Sequence, residues 1–146
     1  MGNEITKTEN NTVATTTFNL PTGFICTIDT STLNGKLLVA QAINGATSMK
    51  DIPNGEVLRI TNFITTEGTR SRTGEPCTNT YLVTEDGEIL FTQSEGIAKS
   101  LPIIIGMFVD NEGFHNPVEM GCGMRLVIEE LSNGNTLKKL VPVALN

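Results

Sequence analysis

The sequence predicts an all-β domain with one short helix behind a flexible N-terminal arm, on three observations. Ile, Leu and Val fall in short runs broken by Gly, Asn, Pro and Thr, the pattern of strands separated by turns. The turn signals Asn34-Gly35, Asn44-Gly45 and Pro53-Asn54-Gly55 stand between those runs. Residues 1–17 hold six Thr and three Asn with hardly any large apolar group, too little burial to offset the entropy of ordering. At 146 residues the chain is the size of one domain, so the expected division is an arm over 1–17 and a folded domain over 18–146.

Taken in order, Phe18 to Ile28 alternates loosely and reads as an irregular first strand, interrupted by Pro21 and Gly23. Lys36 to Ile43 (KLLVAQAI), bounded by Asn-Gly on both sides, reads as strand one of the main sheet. Glu56 to Thr65 alternates most cleanly. Leu58, Ile60 and Ile64 fall on one face, and Arg59, Thr61 and Phe63 on the other. A polar loop with Gly68, Arg70, Arg72 and Gly74 leads into a strand at Cys77 to Thr84, and Glu85-Asp86-Gly87 turns it into Glu88 to Gln93. Ser94 is placed to cap a helix from Glu95 to Ile105, although Pro102 and the β-branched Ile103 to Ile105 disfavour its second half. After a Gly- and Asn-rich loop over 110–123, Met124 to Leu131 and Thr136 to Leu145 form a closing hairpin around Ser132 to Asn135. Three strands, a helix and two strands is the element order of a five-stranded OB-fold Greek-key barrel, with the helix plugging one end.

Composition narrows the function classes. No positively charged start followed by an apolar stretch marks secretion. The longest apolar run, Leu101 to Val109, falls far short of the roughly 20 residues a spanning helix needs. Cys26, Cys77 and Cys122 are odd in number and widely spaced, which fits a reducing, cytoplasmic setting better than a disulfide framework. The net charge of −6 and pI near 4.7 argue against a nucleic-acid partner when taken alone. Charge is segregated, however. Lys36, Lys50, Arg59, Arg70 and Arg72 oppose only Asp51, Glu56 and Glu67 between residues 36 and 72, leaving that stretch at +2 and the remainder at −8. One cationic face on an acidic protein is therefore permitted.

Thr32 to Phe63 (TLNGKLLVAQAINGATSMKDIPNGEVLRITNF) resembles the small single-stranded DNA-binding proteins of protein-primed Bacillus phages. It is similar in its run of Thr-Leu, Gly, an apolar segment, Asn, Ser, Lys, Pro, Gly and a second apolar segment. The likeness continues through Glu85 to Leu101 (EDGEILFTQSEGIAKSL) and covers about half the chain. In size and polar arm the chain is also similar to the PrgE-like OB-fold proteins of Gram-positive conjugative plasmids. The resemblance implies protection or handling of single-stranded DNA during replication or plasmid transfer.

Such binding needs cations that track phosphates and exposed rings on which bases stack, at about 1–3 kcal/mol per base. The candidate residues are Lys36, Lys50, Arg59, Phe63, Arg70, Arg72, Tyr81 and Phe114. Arg59 and Phe63, four apart on a strand, are expected on one face, with Tyr81 joining from the neighbouring strand. Arg70 and Arg72 sit between glycines in a hairpin loop, where guanidinium groups can meet phosphates. Lys36 and Lys50 bracket one gripping loop of the barrel, and Phe114 lies in the other. The competing assignments are Phe63 in the core, Tyr81 buried with a bonded hydroxyl, and the cations as ordinary solvated charges.

Catalysis has little to stand on. One histidine and three scattered cysteines give no zinc spacing. No phosphate-binding Gly-rich loop, G-x-S-x-G or HExxH is present. No catalytic residue, cofactor, metal or membrane association is expected. The reading from sequence is a module that coats single-stranded DNA without sequence specificity, whose arm is either a tail with no role or a segment that self-associates by pairing with a neighbouring subunit's sheet edge. The alternative is a structural or protein-binding β-barrel of a phage or plasmid assembly.

Overall fold

A computed structural model describes residues 25–145 of the chain. The arm and most of the irregular first strand lie outside the described residues. What is described of that strand is β1, Ile25–Cys26.

The largest departure from the sequence reading comes next. Residues read as strand one form a helix, α1, Leu33–Gly45. Thr32 caps it by accepting from the backbone N–H of Gly35 at 3.0 Å. The inward positions are Gly35, Val39 and Ala42, spaced at the helical period. They are small, so the apolar run that suggested a strand buries only a narrow stripe. Gly35 is obligatory, because a β-carbon there would overlap the carbonyl of Asp29. The Asn34-Gly35 pair is thus the helix's first turn, not a hairpin turn.

After α1 come β2, Thr47–Ser48, and a short 3-10 turn over Met49–Asp51. Then follow β3, Val57–Leu58, β4, Ile60–Thr69, β5, Pro76–Thr84, and β6, Ile89–Thr92. Ser94 caps α2, Glu95–Met107, by accepting from Ile97 N–H at 3.2 Å. Its buried stripe is Ile97, Leu101, Ile104 and Ile105. Pro102 is exposed, so the kinking residue faces away from the core. The Gly- and Asn-rich loop contains a minimal hairpin of β7, Val109–Asp110, and β8, Gly113–Phe114. The closing hairpin is β9, Cys122–Glu130, with β10, Thr136–Ala144.

Sheet one has the order β1-β4-β5-β6-β2 and sheet two the order β10-β9-β3. Strands β3 and β4 follow one another across Arg59, so one bent length of chain passes from sheet two into sheet one. The mainly β architecture is compatible with an OB-like fold. The five-stranded barrel expected from sequence is not what the described pairings form, for neither sheet closes on itself.

Sheet one is covered on both sides. Phe63, Leu82 and Leu90 pack with α2 residues and with Met124, Leu126 and Leu140 of sheet two. On the opposite face, Ile64, Tyr81, Val83 and Ile89 pack with Val39 and Ala42 of α1. Tyr81, Val83 and Ile89 were available to a ligand only in a fold without α1.

Candidate nucleic-acid interface

A single irregularity decides where the proposed binding face goes. Ile60 pairs with Thr84 and Asn62 with Val83, so Thr61 is an extra residue in β4. A bulge of one residue shifts the alternation for everything after it. Phe63 consequently joins Leu58 and Ile60 on the core side, and Ile64 turns to the α1 side.

The expectation that Arg59 and Phe63 share an exposed face is corrected by this bulge. Phe63 has no exposed surface, and its ring meets Phe114 edge-on at 6.2 Å and 89°. Tyr81 is also closed off, at 7% exposure, under α1 and beside the ring of Phe91 at 5.3 Å. The two rings lie on opposite faces of sheet one, so they cannot form one stacking platform.

Arg59 is exposed but engaged. Its guanidinium pairs with Glu85, and their backbones are joined by a 2.8 Å hydrogen bond from Glu85 N–H to Arg59 O. The hydrogen bond from Arg59 holds the Glu85 carboxyl below its ordinary value. Arg59 sits at the opposite end of β4 from Arg70, on the order of 30 Å away at about 3.3 Å per residue. It therefore belongs to another part of the surface.

Phe114 is half-buried and packs on the Phe63 cluster. It borders a groove of about 540 Å³ lined also by Asp29, Glu112, Glu119 and His115. Three carboxylates stand in that groove without a Lys or Arg, a local charge that disfavours phosphate beside Phe114. Nearby, His115 Nε2 lies 2.8 Å from Asp110 Oδ1. Asp110 is held below its ordinary pKa first by His115 and then by the N–H of Glu112.

The remaining cations are separated. Lys36 on α1 donates to the carbonyl of Thr30, and Lys50 is exposed on the 3-10 turn. Arg70 and Arg72 stand elsewhere, where β4 and β5 outrun their neighbour. β6 ends with Thr92 opposite Thr80, but β4 and β5 stay paired to Thr69 and Pro76. Among the described residues the result is a projecting two-stranded ribbon. Its tip is closed by bonds from Arg70 N–H to Glu75 O at 2.9 Å and from Gly74 N–H to Arg70 O at 2.8 Å. Gly74 adopts φ 75°, which a side chain would resist. Arg72 is exposed at the tip. Arg70 Nη2 reaches back to the carbonyl of Gln93 at 3.2 Å, tying the ribbon to the start of α2.

Beneath the ribbon lies a cleft of two adjoining lobes, about 710 and 570 Å³, that share Arg70, Gln93 and Glu95. Its second lobe brings in Lys99 of α2 and Lys138 of β10. Neither lysine was a candidate from sequence. No local pattern marks them, because only the docking of α2 against β10 brings positions 99 and 138 together.

A family model described as phage single-stranded DNA-binding protein matches residues 21–120. The chain belongs to this family. Membership makes single-stranded DNA binding in a phage context its function, in a family that binds DNA rather than catalysing a reaction. The match spans α1, sheet one, α2 and the small hairpin of this phage protein, including Arg70, Arg72 and Lys99, and stops before β9. No curated protein and no solved structure matches the chain. Among the described residues, no helix is long and apolar enough to cross a membrane.

Proposed function

We propose that this phage protein coats single-stranded DNA without sequence specificity during phage replication, with Arg70 and Arg72 tracking phosphates. The observation that carries the reading is the family match over residues 21–120. The projecting ribbon agrees with it. Guanidinium groups near its tip can meet the backbone that every nucleotide shares, and phosphate contacts carry no sequence information. The plasmid-transfer setting and the structural-barrel alternative have no comparable support.

Fluorescence anisotropy of a labelled oligonucleotide at several salt concentrations tests the proposal. Binding should weaken with salt at about −0.7 in log–log slope per phosphate contacted, equally for mixed-sequence and homopolymer strands. Replacing Arg70 and Arg72 together with Ala should flatten that slope by about 1.4. Absence of binding at low salt would return the structural-barrel alternative to first place.

Residues 1–17 are assigned as an arm that links neighbouring molecules on a strand, ahead of the domain over 18–146. Deleting them should lower the cooperativity of the binding isotherm on long strands while leaving affinity for a short oligonucleotide intact. Unchanged cooperativity removes the arm from this role.

A further inference from the structure

We infer that the strand's path is the cleft under the ribbon, with Lys99 and Lys138 holding phosphates beside Arg70. The inference rests on the single-strand reading above and adds a route and two residues to it.

Electrostatics select the cleft. Its two lobes carry Arg70, Lys99 and Lys138 against Glu67 and Glu95. The groove beside Phe114 has three carboxylates and no Lys or Arg. The groove beside the β5–β6 turn has Arg59, already paired, against Glu85, Asp86 and Glu88. On a protein of net charge −6, the distant acids are largely screened beyond a Debye length of about 8–10 Å. What a phosphate meets is the local balance, and of these three grooves the cleft alone is cationic.

The cleft's cations are available. Lys99 pairs only loosely with Glu95, at 3.7 Å, and both side chains are about three-quarters exposed. Such an i,i+4 pair is worth little and yields readily to a phosphate. Lys138 is half-buried on the wall, with its backbone against Gly96 of α2. Gln93, Asn135, Thr78 and Thr136 add neutral donors. They suit sugar and phosphate oxygens.

No aromatic side chain lines either lobe. Affinity through this route therefore comes mainly from charge, with the steep salt dependence that entails. Leu131 and Leu137 supply the apolar wall against which sugars and base edges can lie.

The test compares lysines that differ by one position. Lys139 follows Lys138 on β10, but pairs with Glu129 at 3.4 Å on sheet two, outside the cleft lining. In the full chain, K99A/K138A should weaken oligo-dT binding at least tenfold and lower the salt slope by about 1.4. K139A removes the same charge as K138A and should stay within twofold of the parent. A double variant with parental affinity and slope overturns the route.

A second measurement needs no substitution. Cys77 is half-exposed on the cleft wall. Cys122 lies at the far end of sheet two, and buried Cys26 has its thiol pKa pushed up by burial. Oligo-dT should slow maleimide labelling of Cys77 severalfold and leave Cys122 unchanged, read by mass spectrometry of the peptides. Equal labelling of Cys77 with and without bound strand overturns the route. If the parent protein binds no single strand at all, the proposed function falls and the route with it. If it binds but the variants and Cys77 are indifferent, only the route falls.

Discussion

Replacing Phe63 with alanine is expected to remove about 3–5 kcal/mol of folding stability, the range for emptying a fully buried phenylalanine site. The ring is packed with Ile60, Leu82 and Leu90 from sheet one and with Met124 and Leu126 from sheet two, and it has no exposed surface. Its edge contact with Phe114 adds a directional component of about 0.5–1.5 kcal/mol beyond area. A typical domain is stable by only about 5–15 kcal/mol. Urea denaturation should therefore place the variant's midpoint well below the parent's, with Phe63→Leu in between. Affinity for single strands, per folded molecule, should be unchanged in Phe63→Leu. A leucine variant that keeps its stability but loses binding would mean that the ring meets DNA after all.

Opposite signs are expected from two glycines of one helix. At Gly96 a β-carbon would overlap the carbonyl oxygen of Lys138 and come within 2.7 Å of Leu137 Cδ1. The first obstacle is backbone, so α2 or β10 must move, and Gly96→Ala should destabilise by about 2–3 kcal/mol as overpacking does. Its site also lines the cleft, so the same shift should disturb strand binding. At Gly106 nothing lies within 4 Å of the added carbon. Alanine there gains helix propensity at no steric cost and should stabilise by about 0.5–1 kcal/mol. Thermal unfolding of both variants reads the two signs directly. A neutral Gly96→Ala would show that α2 does not rest on β10 as closely as described.

Much of the fold was legible in local pattern. The strands at β5, β6, β9 and β10 and the Ser94-capped helix follow from alternation, turn residues and a side chain that caps its own neighbourhood. Helix α1 was misread because KLLVAQAI suits either period. What separates them is Thr32 capping Gly35 and the small stripe at Gly35, Val39 and Ala42, which makes sense only against the sheet it covers. The candidate rings failed for a related reason. Alternation was sound as far as Ile60, but the extra residue at Thr61 changed the face of everything beyond it.

By itself, then, the sequence determined the strand-rich class, the C-terminal elements, the glycine-bounded arginine loop and the resemblance to phage single-strand binders. Each depends on backbone preferences and contacts within a few residues. Only the tertiary structure decided that Phe63 and Tyr81 are shut away on opposite sides of one sheet, and that Arg70, Lys99 and Lys138 border one cleft. Burial and local field are sums over neighbours in space, and those neighbours come from segments far apart along the chain.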